Sequence, residues 1–125
     1  MHLAIAGNIG AGKTTLTKML SKHYGWEPFF EDVLENPYLD DFYERMERWS
    51  FNLQIYFLNS RFNQMIDCAN NEKDTIQDRT IYEDANIFAP NLLSMGLMTN
   101  RDYKNYDSIF KTLMTYIKNP DLLIY

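Results

Sequence analysis

Eight residues near the start of the chain, Gly7-Asn8-Ile9-Gly10-Ala11-Gly12-Lys13-Thr14, fill every fixed position of the pattern G-x-x-x-x-G-K-[ST]. The chemistry that such spacing serves is the cradling of a polyphosphate. Glycines let backbone N–H groups turn inward and come close to phosphate oxygens. A helix opening at the loop's end adds free N–H groups and the positive end of its dipole. Lys13 then reaches the β- and γ-phosphates, and the Thr14 hydroxyl can bind Mg²⁺. Together with Thr15, these residues form a candidate site for a nucleoside triphosphate.

The loop needs a strand before it and a helix after it, and the sequence supplies both. Leu3-Ala4-Ile5-Ala6 reads as a buried parallel strand. Leu16, Met19, Leu20 and His23 recur at helical spacing, and Gly25 ends that helix. Strand and helix then alternate, the mark of a parallel α/β sheet. Trp26 to Phe30 reads as a second strand, with Glu31 at its carboxyl end, where ligands of such sheets sit. A helical region from Asn36-Pro37 carries Leu39, Phe42, Tyr43 and Met46. A longer helix is expected from Trp49 to Ala69, with an apolar stripe of Phe51, Ile55, Leu58, Phe62 and Met65. Gln54 and Arg61 lie two turns apart on a neighbouring face of it.

Asp74 to Gln77 makes a third strand, with Asp78 and Arg79 at its end. Thr80 can cap a helix that carries Ile81, Asp84, Ala85, Ile87 and Phe88. Ala89-Pro90 to Gly96 reads as a bend, and Arg101 to Lys118 as another helix. Leu122 to Tyr125 reads as a fourth, buried strand with no helix following it. The fold class is therefore α/β, a parallel sheet flanked by helices and cut off in its fourth strand. The expectation is one domain over residues 1–125, the N-terminal portion of something longer.

Composition narrows the partners. A charge of −5 argues against a nucleic-acid surface, which would be basic. One cysteine, Cys68, excludes an internal disulfide and suits a reducing, cytoplasmic setting, with the residue filling a small space near a helix end. No run approaches the ~20 apolar residues of a membrane span, and the strand and phosphate loop begin at once, so neither a membrane span nor a signal peptide is expected.

Beyond the phosphate loop, five features in order resemble the deoxynucleoside kinase family over essentially all 125 residues. Glu31-Asp32-Val33 matches the family's Glu-Pro-Val, with Asp32 in place of proline; Tyr43 follows, and Gln54 stands eleven residues after it. Asp78-Arg79-Thr80 resembles Glu-Arg-Ser, and Tyr82-Glu83-Asp84 resembles Tyr-Ser-Asp. The resemblance implies a P-loop kinase fold that moves the γ-phosphate of ATP to the 5′-hydroxyl of a deoxynucleoside, with Mg²⁺, in nucleotide salvage. It implies Glu31 as catalytic base, Tyr43 on the sugar 3′-hydroxyl and Gln54 on the base. It also implies a homodimer, and an arginine-rich lid, a further glutamate and an adenine-reading loop after Tyr125.

The chemistry of the side chains agrees. A sugar hydroxyl needs a carboxylate within hydrogen-bond reach to take its proton, which suits Glu31. The amide of Gln54 offers one donor and one acceptor to a base edge. Arg79 can steady phosphate charge in flight, and Asp78 can orient Mg²⁺ through water. Phe88 either stacks on the base or is core. Ordinary readings exist beside these: Glu31 as a solvated acid near Asp32 and Glu35, Tyr43 as one core aromatic among nine tyrosines, Arg79 as a surface charge.

Family members that accept deoxycytidine and purine deoxynucleosides carry an arginine and an aspartate where Arg61 and Asp84 stand. The resemblance therefore implies deoxyadenosine first, deoxycytidine or deoxyguanosine as weaker acceptors, and thymidine poorly accepted. Two rivals are a nucleoside monophosphate kinase of the thymidylate kinase type and a non-catalytic ATP-binding module. A regulatory GTPase is set aside, because Asn71-Glu72-Lys73-Asp74 has its lysine one place late for the guanine-reading motif and no Asp-x-x-Gly occurs.

Overall fold

Leu3, Ala4 and Ile5 are at most 2% exposed because strand β1 (His2–Ile5) has a hydrogen-bonded neighbour on each side. A strand covered on both faces and both edges tolerates only a continuous apolar run. The structure, a computed structural model, describes residues 1–6, 12–30, 36–71, 74–78, 84–117 and 121–124, with no side-chain description for 122–124. The described residues divide into two compact units: Met1–Glu31 with Asn63–Thr80 and Ile117–Tyr125, and Asp32–Phe62 with Ile81–Tyr116.

The first unit is the sheet. Strands β2 (Glu27–Phe29), β3 (Thr75–Asp78) and β4 (Leu122–Ile124) join β1 in the order β2-β3-β1-β4, all parallel. Pro28 lies in edge strand β2, where its missing N–H costs no ladder bond on the open side. Asp78 falls inside β3, not after it as the sequence suggested. Helix α1 (Lys13–Tyr24) packs Leu16 and Leu20 on Leu3, Ile5 and Ile76, joined by Trp26.

The phase of α1 differs from the sequence reading. Met19 is 63% exposed and His23 is exposed, while Lys13 and Thr17 are buried on the core side. A polar residue can hold that slot because the Thr17 hydroxyl donates to the Lys13 carbonyl at 2.8 Å. A count of apolar letters does not see this. The helix ends as expected at Gly25, in the left-handed region at φ 69°.

The second unit is helical: α2 (Leu39–Glu44), the first part of α3 (Met46–Asn70), a π-helical turn (Asp84–Phe88), α4 (Ala89–Ser94) and α5 (Asn100–Met114). α2 begins at Leu39, after a turn in which Asn36 Oδ1 accepts from the Tyr38 N–H at 2.9 Å, and Met46 opens α3 instead of closing α2. The fully buried line of α3 is Ser50, Leu53, Gln54, Leu58, Arg61, Met65 and Cys68. Phe51, Ile55 and Phe62, expected in that line, are half-buried. Ser50 fits as Thr17 does, its hydroxyl donating to Met46 O at 2.5 Å. Cys68 fills a small space in the last turn, and burial pushes its thiol up to about 11, far from a reactive thiolate.

Two further expectations need correction. The stretch from Ala89 is a helix and not a bend, since Pro90 sits in its first turn, where no N–H is required. The residues from Asp84 form a π-helical turn and not part of an α-helix. Pro90 accounts for it: its ring would crowd the carbonyl four residues back, and a wider turn relieves that. α5 starts at a Thr99 cap, whose hydroxyl accepts from the Asp102 N–H at 3.1 Å, and stops at Met114, short of Lys118. Thr80 lies outside the described residues.

Nothing lies within 4 Å of a Cβ built at Gly25, so an alanine there would meet only backbone strain. Gly25→Ala should cost about 1 kcal/mol and Gly25→Asn less, read from the midpoint of urea unfolding at constant m-value. An alanine variant as stable as the parent would contradict a left-handed residue at that position.

Candidate functional site

In the sheet unit, the chain leaves β1 through the phosphate loop and enters α1 at Gly12, whose φ of 81° and ψ of 20° belong to the left-handed region. The first bond of the helix follows, Leu16 N–H to Gly12 O at 3.0 Å. Lys13 is 8% exposed, while Thr14 and Thr15 face solvent. The Thr14 hydroxyl donates to Asp78 Oδ2 at 2.8 Å. β1 and β3 run parallel with Ile5 opposite Asp78, so the carboxylate stands at the same sheet edge from which the loop departs. Asp78 is 1% exposed, and among the described residues its Oδ1 has no hydrogen-bond partner. Gly7, Asn8, Ile9, Gly10 and Ala11, together with Glu31 and Arg79, lie outside the described residues.

In the helical unit, the turn-by-turn spacing of α3 places Gln54 and Arg61 in its buried line, at 4% and 0% exposure. Arg61 Nε stands 3.3 Å from Asp84 Oδ2, and both side chains are essentially dry, so the two sequence-predicted residues do come together. The Arg61 guanidinium also lies 5.3 Å from the centre of the Phe57 ring, within cation–π range. Gln54 Oε1 is buried and finds no hydrogen-bond partner among the described residues. A buried carbonyl oxygen of this kind can accept from a donor beyond the described residues.

Two other sequence-predicted residues behave differently. Tyr43 is 67% exposed and packs edge-on against Phe42 at 5.6 Å, in contrast to the buried side chains of Gln54, Arg61 and Asp84. Phe88 is half-buried at the end of the π-helical turn.

Tyr106 was not singled out by its sequence, one tyrosine among nine. It is 1% exposed, with a phenol oxygen lacking a partner among the described residues. Burial raises its pKa well above that of a free phenol, and the negative charge of Asp84 adds to the rise. The signal that finds it is this neighbourhood with Asp84, which only the fold supplies.

The residues present suit a hard divalent cation. Mg²⁺ takes one or two protein oxygens and fills its octahedron with phosphate and water. The adjoining Thr14 hydroxyl and Asp78 carboxylate, with one carboxylate oxygen to spare, are such a pair. Among the described residues no group of three or more His, Cys, Asp or Glu could hold a metal alone, and no helix is long and apolar enough to cross a membrane.

Comparison with known proteins gives the same picture. The chain is 46% identical to a deoxyadenosine/deoxycytidine kinase of Bacillus subtilis over 125 residues, covering 98% of this chain and 58% of that protein. It is 46% identical to a deoxyadenosine kinase of Dictyostelium discoideum over 124 residues, covering 99% of this chain and 50% of the relative. The chain thus spans only half to three-fifths of these relatives' length. The solved deoxyadenosine kinase from M. mycoides with bound dATP superposes with a TM-score of 0.87 at 36% identity, over 100% of this chain and 64% of that one. The fold is therefore the P-loop kinase fold. The profile for deoxynucleoside kinases matches residues 3–125, and the chain belongs to the deoxynucleoside kinase family.

Proposed function

We propose that the protein transfers the γ-phosphate of ATP to the 5′-hydroxyl of a deoxynucleoside, with deoxyadenosine as the first choice of acceptor. The observation that carries this reading is the buried carbonyl of Gln54, without a partner among the described residues, on the same helix as an Arg61 that is ion-paired with Asp84. A glutamine amide can accept from an exocyclic amine and donate to a ring nitrogen, which suits a nucleobase edge. Asp84, paired with Arg61, accepts a hydrogen bond from an exocyclic amine and opposes a thymine carbonyl. The names of the relatives, deoxyadenosine and deoxycytidine kinases, support an amine-bearing base.

The donor half of the reaction falls to the sheet unit. Residues Gly7, Asn8, Ile9, Gly10, Ala11, Gly12, Lys13, Thr14 and Thr15 cradle the triphosphate, with Lys13 against the β- and γ-phosphates. Thr14 and Asp78 would hold Mg²⁺, which when bound offsets phosphate charge. Glu31 takes the proton of the 5′-hydroxyl as the new P–O bond forms and the bond to the β-phosphate oxygen breaks. Arg79 steadies the charge on the phosphoryl group in transit. Tyr43 binds the sugar 3′-hydroxyl, and Phe88 stacks on the base. The protein works in the cytoplasm as a homodimer, without nucleic acid or membrane.

Replacing Glu31 by glutamine keeps size and polarity and removes the proton acceptor. In the intact protein, Glu31→Gln should lower kcat by roughly 10²–10⁴ with deoxynucleoside binding largely kept, measured in an ATP-coupled assay beside calorimetric titration. Parent-like turnover would remove Glu31 from the mechanism.

Removing only one member of a buried ion pair strands the other charge, at a cost of about 3–5 kcal/mol. Base choice is therefore tested with both replaced. Arg61→Met with Asp84→Ala should shift the ratio of kcat/KM for deoxyadenosine over thymidine towards thymidine, by roughly tenfold or more, as loss of a buried polar contact to substrate does. An unchanged ratio would make the pair purely structural.

A further inference from the structure

We propose that Gln64 is a positioning residue for the proton acceptor, acting through a side-chain relay that runs from His2 through Gln77 to the end of β2. The inference rests on the assignment of Glu31 as that acceptor. Gln64 Nε2 donates to the Phe30 carbonyl at 2.9 Å, Gln77 Nε2 donates to Gln64 Oε1 at 3.2 Å, and His2 Nε2 lies 2.9 Å from Gln77 Oε1. All four residues belong to the sheet unit.

The polarity of the relay is set by its last member. A backbone carbonyl only accepts, so Gln64 must turn its amide nitrogen towards Phe30 and its oxygen towards Gln77. Gln77 must then donate to that oxygen, which leaves its own Oε1 to accept from His2 Nε2–H. Each amide orientation follows from the one before, with no choice left over. Burial lowers the pKa of His2, against the opposing effect of its bond to Gln77, and the neutral ring protonated on Nε2 serves the relay.

The location gives the relay its use. β2 is the edge strand, and its register with β3 runs from Glu27 to the pair Phe29–Gln77. Past that pair, the Phe30 carbonyl is held by the Gln64 side chain from α3. That carbonyl belongs to the planar peptide unit that joins Phe30 to Glu31, so the bond from Gln64 restrains the last described unit before the proton acceptor. Gln77 is 0% exposed, and its side chain bridges β1 and α3 from the middle of the sheet. A glutamine tethered at both ends cannot swing as a surface glutamine would, so the relay is stiff.

A proton acceptor displaced slightly still lets both substrates bind, but transfers poorly. In the intact protein, Gln64→Leu should lower kcat by roughly 10-fold to 100-fold and leave KM for ATP and deoxyadenosine within about twofold. Gln64→Glu keeps the acceptor for Gln77 and loses the donor to Phe30, so it should lower kcat alike; it carries the test if the leucine variant does not fold. In a Glu31→Gln background, either substitution should cause no further loss, because the group being positioned is already gone. If Glu31→Gln lowers kcat but the Gln64 variants leave it unchanged, or lower it equally in both backgrounds, the relay is only structural and the inference is overturned while the assignment of Glu31 stands. If Glu31→Gln turns over like the parent, that assignment fails and the inference with it.

Discussion

Taking a carboxylate out of water costs several kcal/mol, so the buried Asp78 and Asp84 dictate what surrounds them. Each is about 1% exposed, and each has a partner in its own unit: the Thr14 hydroxyl for Asp78, the Arg61 guanidinium for Asp84. Such burial is hard to reconcile with a merely structural role, since an apolar residue in either place would be cheaper. Under the proposed function the two would meet ligand, Asp78 a metal-bound polyphosphate and Asp84 a nucleobase amine. Among the described residues, Asp78 Oδ1 and Gln54 Oε1 are also buried without a hydrogen-bond partner.

The parallel pairing of β1 with β3 does the positioning in the sheet unit. With His2 opposite Thr75 and Ile5 opposite Asp78, the carboxylate stands level with the last residue of β1. A slip of one residue would turn Gln77 to the other face and take the relay apart with it. β3 is unusual among central strands in carrying three polar residues in four, and its polar side chains are the ones that reach out to α1, β1 and α3.

Much of this was legible in the sequence, and the reasons are physical. The phosphate loop declares itself because glycine takes the left-handed backbone of a position such as Gly12 without strain, and Gly25 stops α1 for the same reason. β1 was plain because a strand buried on both faces has no freedom to be polar. The Arg61–Asp84 pair followed from a family resemblance, and the fold brings the two side chains together. What could not be read were the places where polar residues take core positions. Thr17 and Ser50 hide their hydroxyls on carbonyls one turn back, which misplaced the buried face of α1 and α3. Pro90 looked like a breaker and proved to be a first-turn residue preceded by a π-helical turn. The Gln64–Gln77 contact joins a helix to a strand, and no local pattern announces it.

The claim at the centre of this account is that the buried amide and carboxylate select a nucleoside bearing an exocyclic amine, and that the acceptor is its free 5′-hydroxyl. It is tested most directly by following label from [γ-³²P]ATP in the presence of the intact protein and, separately, deoxyadenosine, thymidine and deoxyadenosine monophosphate. Labelled deoxyadenosine 5′-monophosphate is expected as the dominant product, with little label on thymidine and none transferred to the monophosphate. Label passing chiefly to the monophosphate, or equally to thymidine, would contradict it.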